Sequence, residues 1–372
     1  MTDPMTQLNA ALLDGEGVEH ELGSTQWTRV GLVALVALAL VGCDAGGYGT
    51  DGPERRGTQE STRAGNVRLY VVDRYEGVRR LDPYTLEVID SIDTGPRAHG
   101  LVASADGRTL YITLEVANEV IKLDVATHEI LGRASVGAVP NEPTLSSDGR
   151  YLFVPLRAGG GTDVVDTETM TRVKTLPTGR ASHNAYTAPD GGLVYATSMG
   201  DNQIAVIDPV KLEVVRVISL NGQPRPMALT DDGRFAHVVL SGMIGFITVD
   251  LSTDEEVARV SLPIPEGTRA PPLDTYTHGM LLTPDQRELW IAAYATDKVY
   301  GYLMPERVEL AEISVPAGPH WLTLHPDGEP LYVSLEGAGQ VAAIHRGLRE
   351  VIRVGNVGRA PTRILAFRTP VS

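Results

Sequence analysis

The sequence has a single cysteine, Cys43, and no Cys-x-x-Cys-His, which excludes covalently attached c-type haem. It also lacks a Gly-x-Ser-x-Gly elbow. Its Gly-rich run, Gly159 to Gly161, has neither the Lys nor the strand-turn-helix setting of a phosphate loop and reads as a flexible connection. Aromatic residues are scarce, at 5%. Basic residues are outnumbered 32 to 47, and the formal charge of -15 argues against nucleic acid and anionic membrane surfaces as partners. The apolar run at residues 30–42, VGLVALVALALVG, spans 13 residues, too short to cross a bilayer comfortably and of the length of a signal-peptide core.

That run ends at Leu40-Val41-Gly42-Cys43, which resembles the bacterial lipobox, and the resemblance implies lipidation at Cys43. Residues 1–43 are therefore expected to be leader and signal peptide, and residues 44–65, rich in Gly, Thr and charge, a flexible tether. The stretch before the core is long and acidic, with Arg29 its only Lys or Arg, so translation is expected to start downstream of Met1. The membrane is expected to be met only through the lipid, at the periplasmic or extracellular face of the cell envelope.

What is abundant is repetition. An Asp-Gly turn recurs as Asp106-Gly107, Asp148-Gly149, Asp190-Gly191, Asp232-Gly233, a degraded Asp285-Gln286, and Asp327-Gly328, at steps of 42, 42, 42, 53 and 42 residues. Alternating apolar runs flank each turn, as in LVASADGRTLYIT, and predict tight hairpins. A second turn opening on Asp follows at Asp82, Asp124, Asp166, Asp208 and Asp250. Four short strands per unit at this period predict an all-β, seven-bladed β-propeller over residues 66–372. Blade one has strands at Val67 to Asp73, Gly77 to Leu81 and Leu86 to Ile92 but no first strand. Gly358 to Phe367 matches the missing piece, so the C-terminal strand is expected to close the ring on the N-terminal three.

Units such as GRTLYIT, GRYLFVP, GGLVYAT and EPLYVS resemble the YVTN-type, YncE-like propeller repeat, whose superfamily includes the d1-haem propeller of dissimilatory nitrite reductase. The resemblance covers about 300 residues and implies a fold that hosts binding proteins, haem-handling proteins and enzymes.

Seven residues before each turn Asp stand His99, Asn141, His183, Arg225, His278 and His320, with Thr362 in the closing blade. In propellers of this kind that position starts the innermost strand, so these side chains are expected to converge on the mouth of the central channel. The B-to-C loops should open on the same face with Arg74, Glu115, Arg157, Asp201, Tyr294 and Glu336. His99, His183, His278 and His320 suit a transition metal such as copper, zinc or iron. Beside Arg225, Asn141 and Arg157, the same groups suit an anion or the carboxylates of a non-covalent haem. A second reading stands beside this one: an inherited His can cap a neighbouring loop carbonyl with no ligand at all. His128, His237 and His345 read as surface residues. Trp321 and Tyr276 are placed to stack on a planar ligand or to pack between blades. An insertion of eleven residues within Pro263 to Thr277 lies in a D-to-A loop and is expected to lean over the mouth.

The expectation is an exported, lipid-anchored propeller that takes a metal ion or small anionic, tetrapyrrole-like ligand at its axial mouth. Two rivals remain: a lactonase- or lyase-type enzyme with a ring His as general base and Glu115 or Glu336 as acid or metal ligand, and a protein-interaction scaffold. The chain is expected to be a monomer, with other envelope proteins as its macromolecular partners.

Overall fold

Every expected hairpin forms around its turn. Gly107, Gly149, Gly191, Gly233 and Gly328 take φ between 65° and 91°, where a side chain would strain the backbone. The turn aspartates bond locally: Asp106 Oδ1 accepts from Ser104 Oγ at 2.6 Å and from the Arg108 amide at 3.1 Å, and Asp148 and Asp232 repeat the pattern. In the second turn, Asp124 Oδ1 accepts from the amides of Ala126 and Thr127, both at 2.8 Å. Asp82, Asp166 and Asp208 do the same. These amide bonds hold the carboxyls of Asp124, Asp166 and Asp208 below the usual carboxylate range.

The computed structural model describes residues 66–95, 97–271 and 275–370, and these form seven four-stranded antiparallel sheets. Blade 2, for example, is Ala98–Ala103, Thr109–Leu114, Glu119–Asp124 and Ile130–Ser135. Blade 1 is composite: Pro361–Arg368 pairs with Val67–Asp73, which leads through Gly77–Leu81 to Val88–Ile92. Its outer strand starts later than expected because Leu86 sits at φ 62° and breaks the extended run. The ring is a seven-bladed β-propeller closed by the C-terminal strand.

The core lies between blades. Among the described residues, hydrophobic side chains gather into seven clusters, each shared by two neighbouring blades. Tyr70, Val72 and Ile92 of blade 1, for example, pack with Leu110, Ile112 and Leu123 of blade 2. No blade covers its own faces, so stability comes from the closed stack. The long connection from Glu255–Leu262 of blade 5 to Gly279–Leu282 of blade 6 ends on buried Thr277, whose Oγ1 accepts the Gly245 amide at 3.2 Å. The leader, Cys43 and the tether lie outside the described residues, and among those described no helix is long and apolar enough to cross a membrane.

Candidate functional site at the axial mouth

The inner strands begin on the register that the repeat marks. His99, His183, Arg225, His320 and Thr362 are the second residues of Ala98–Ala103, Ser182–Thr187, Pro224–Leu229, Pro319–Leu324 and Pro361–Arg368, and His278 directly precedes Gly279–Leu282. Asn141 lies just ahead of the two-residue inner strand Thr144–Leu145. All seven side chains are buried. They converge: the rings of His278 and His320 stack at 3.8 Å, and His183 lies 6.3 Å from His278.

The B-to-C loops meet them on the same face. Glu115 Oε1 lies 3.6 Å from His99 Nε2 and 3.1 Å from Arg157 Nη2, with Arg97 at 4.0 Å from its other oxygen. Glu336 lies 3.7 Å from His320 Nε2 and 2.9 Å from Arg74. Tyr294 stands edge-on to His320, and its phenol is pushed up to about 12 by burial and then by Glu336. Asp201 departs from the expectation. It accepts from the exposed Arg180 at 2.7 Å and takes the Arg180 amide at the same distance, which ties it to its own blade.

Two residues that the register did not single out complete the site. Arg363, wholly buried, donates through Nε to Glu142 at 2.7 Å, lies 3.3 Å from His320 Nδ1, and covers the Trp321 ring at 4.0 Å. It thus links the blade 7 imidazole to a carboxylate on blade 3. The equivalent residue in blade 2 is Gly100, which has no side chain to stand between them, and a Cβ there would come within 2.6 Å of Pro143. Glu142 and Arg363 each follow a register position, where strict alternation predicts the opposite face. The closing strand is irregular here, with a register shift between Pro361 and Ile364 that brackets Arg363, and shifts recur between Ala98 and Leu101, Ser182 and Ala185, Pro224 and Met227, and Pro319 and Trp321, while Glu142 precedes the inner strand Thr144–Leu145 and escapes its alternation. Such bulges re-aim consecutive side chains. The available signal was a charged residue in the slot after the register, present in only two units.

Burial, reinforced by neighbouring guanidinium groups and imidazoles, pulls His99, His183, His278 and His320 well below their ordinary range, so the ring imidazoles are neutral at pH 7. Burial pushes Glu142 up, and Arg363 opposes it. Five guanidinium groups, on Arg74, Arg97, Arg157, Arg225 and Arg363, face three carboxylates, on Glu115, Glu142 and Glu336. One ring imidazole meets a backbone carbonyl, with His320 Nδ1 3.1 Å from that of Thr362, and His183 Nδ1 contacts the side-chain Oδ1 of Asn184. His99 Nδ1 and His278 Nδ1 have no hydrogen-bond partner, nor do Asn141 Nδ2, Asn184 Nδ2 and Arg363 Nη2, all of them buried.

Among the described residues, no three His, Cys, Asp or Glu side chains are grouped so as to hold one metal ion. Of the histidines expected at the surface, His345 is partly exposed and His128 half-buried against Tyr70, but His237 is only 3% exposed and lies between blades. Its strand-centre position explains the difference: in Phe235–Leu240 the third residue points into the blade 5–blade 6 packing, where Phe246 meets it edge-on at 5.8 Å. Trp321 is partly buried beneath Arg363 and 5.8 Å from His278.

A search of curated proteins returns no significant match. Among solved structures, hydrazine synthase from Kuenenia stuttgartiensis is similar at 19% identity and a TM-score of 0.65, covering 74% of this chain and 96% of that one. The periplasmic gluconolactonase of Pseudomonas aeruginosa gives 18% and 0.65, over 82% and 100% of the two chains. The dihydro-heme d1 dehydrogenase NirN, solved in complex with DHE, gives 16% and 0.60, over 78% of this chain and 63% of that one. At these identities the likeness concerns the fold. The family model described as the cytochrome D1 heme domain matches residues 109–353, about two thirds of the chain, and the chain belongs to that family.

Proposed function

We propose that the protein is exported, anchored to the cell envelope by a lipid on Cys43, and binds an anionic, tetrapyrrole-like molecule at the axial mouth. The observation that carries this is the set of buried polar nitrogens without partners, on His99, His278, Asn141, Asn184 and Arg363. A buried donor left unbonded costs about 1–3 kcal/mol. Three of these atoms, on Asn141, Asn184 and Arg363, are obligate donors, while each neutral imidazole Nδ1 donates or accepts according to its tautomer. With guanidinium groups in excess over carboxylates, the set calls for a ligand rich in acceptor oxygens and negative charge. The donor set fits the group that the family implies. Arg225 and Arg363 would hold carboxylates, the stacked pair His278 and His320 would supply neutral imidazole, and Trp321 and Tyr294 would flank a flat ring. An iron tetrapyrrole bound there would supply redox chemistry. A bare metal ion is the weaker form of the reading, because the described imidazoles and carboxylates do not group as a ligand set.

The test is an absorbance titration of the protein, purified without affinity-tag histidines, with haem, beside a variant with His99, His183, His278 and His320 all changed to Ala. Stoichiometric binding with a shifted absorption band, lost in the variant, is the expected result. A colourless protein that takes up no haem, or one that binds it equally well without the four imidazoles, would overturn the assignment.

A second reading has its own support in the His99–Glu115 and His320–Glu336 pairs, at 3.6 and 3.7 Å. Each sets a neutral imidazole beside a carboxylate, the arrangement of a general base for opening a lactone with water. Proton release from aldonolactones, abolished by His99→Ala or His320→Ala, distinguishes this reading from the first.

A further inference from the structure

A cavity of about 650 Å³ opens on the opposite face of the ring, at the junction of blades 5 and 6, bordered by the turns from Thr230 to Asp232 and from Met304 to Arg307. It lies where the repeat is broken. The residue five after each turn Asp is an aromatic in the other units, as Tyr111, Phe153, Tyr195, Trp290 and Tyr332, and Tyr70 occupies the matching place in blade 1. In blade 5 it is the smaller His237. The hairpin turn that has Gly elsewhere has Gln286, held at φ 61° although it carries a side chain. Its Oε1 accepts the Asp231 amide across the blade junction at 3.2 Å, which makes it a wall of the cavity. The second turn opens on Asp in blades 1 to 5 and on His345 in blade 7, but in blade 6 it opens on the apolar Leu303 and runs on through Met304-Pro305-Glu306-Arg307. Three departures from the repeat thus converge on one space.

The lining has a definite chemistry. Phe235, Leu282 and Met304 give it apolar walls, and His237 lies at its inner end. That imidazole is 3% exposed and is bonded through Nδ1 to Thr248 Oγ1 at 3.0 Å. Burial first and the Arg307 guanidinium second push its pKa down to about 4, so it adds no positive charge at pH 7. The remaining charges are the carboxylates of Asp231, Asp232 and Glu306 against Arg307 alone. Asp232 is occupied by Thr230 Oγ1 and the Arg234 amide, which leaves Asp231 and Glu306 as the carboxylates that no turn bond engages.

We propose that this cavity is a second binding site, taking a small organic cation whose apolar body fills the space and whose ammonium meets Asp231 and Glu306. The charge balance of the rim selects the sign, and the walls select the body. The site is independent of the axial mouth, and its failure would leave that assignment untouched.

The test uses three isosteric probes, phenethylamine, phenylacetate and phenethyl alcohol, with affinities measured by calorimetry on the intact protein. The amine is expected to bind, and the acid more weakly by roughly tenfold, as two exposed charge contacts allow. His237→Phe restores the aromatic that Phe153 supplies in blade 3 and, by narrowing the cavity, should weaken the amine and the alcohol alike. The double substitution Asp231→Asn with Glu306→Gln, at exposed positions, should weaken the amine by roughly tenfold while leaving the alcohol unchanged. Equal affinity for amine and acid, binding of neither, or amine binding unaltered in both variants would overturn the proposal.

Discussion

At the scale of the residue, Arg363 and Glu142 are the strongest test of how the mouth is held together. Removing one partner of a buried ion pair leaves an uncompensated charge, so Arg363→Ala is expected to cost roughly 3–5 kcal/mol in chemical denaturation. Arg363→Met combined with Glu142→Leu should recover most of that loss, since a matched apolar pair strands no charge. An Arg363→Ala protein as stable as the parent would mean that water already screens the pair. The histidines set a pH dependence whose sign follows from their depressed pKa values. Between the folded pKa and the unfolded value near 6.5, the unfolded chain binds protons that the folded chain refuses, so stability rises with pH in that window and falls on acidification. For His237 the window runs from about 6.5 down to about 4. His237→Phe should therefore flatten the pH dependence of stability by up to about 1.4 kcal/mol per pH unit between those limits. Denaturation curves at pH 7 and pH 5 are sufficient to see it. The ring histidines were legible in the sequence because a repeated slot declares itself. Arg363 and Glu142 were not, because each occurs once, and a bulge in the closing strand aims the first while the second lies ahead of its inner strand, outside the alternation.

At the scale of the element, the inner strands of neighbouring blades approach one another closely. Gly100 approaches Pro143 and Asn141 of blade 3, and a Cβ at Gly279 would stand 2.8 Å from the His320 carbonyl. Gly100→Ala should therefore lower stability by roughly 1–3 kcal/mol through overpacking and should disturb ligand uptake at the mouth. The turn aspartates act at the same scale. Asp124→Ala removes two amide bonds at 2.8 Å and is expected to cost about 1–2 kcal/mol with no effect on any ligand, as thermal unfolding beside a binding titration would reveal. The turns were readable because their chemistry is local. Whether His237 faced solvent or core was not, since an imidazole in an alternating strand is compatible with either face, and the packing of blade 6 decides it.

At the scale of the whole molecule, the closing strand is the critical element. Ending the chain at Gly358 leaves Val67–Asp73 with an unpaired edge and the innermost layer of blade 1 missing, so aggregation or loss of soluble protein is expected. A permutant that carries residues 359–370 ahead of residue 66 restores the same pairing and should remain a soluble, cooperatively folding propeller. Outside the ring, Cys43→Ser should move the protein from the detergent phase to the aqueous phase in a two-phase partition, which tests the lipid anchor directly.

Blade number, closure and the ring register were determined by the sequence alone, because each rests on periodicity and local turn chemistry that survive in a linear string. The ion pair across the mouth, the neutrality of the imidazoles, the detour of Asp201 and the cavity beside His237 were decided only by the tertiary structure. Each depends on which side chains from distant blades come within a few ångströms of one another and on how much water their packing excludes, and neither is encoded at any single position.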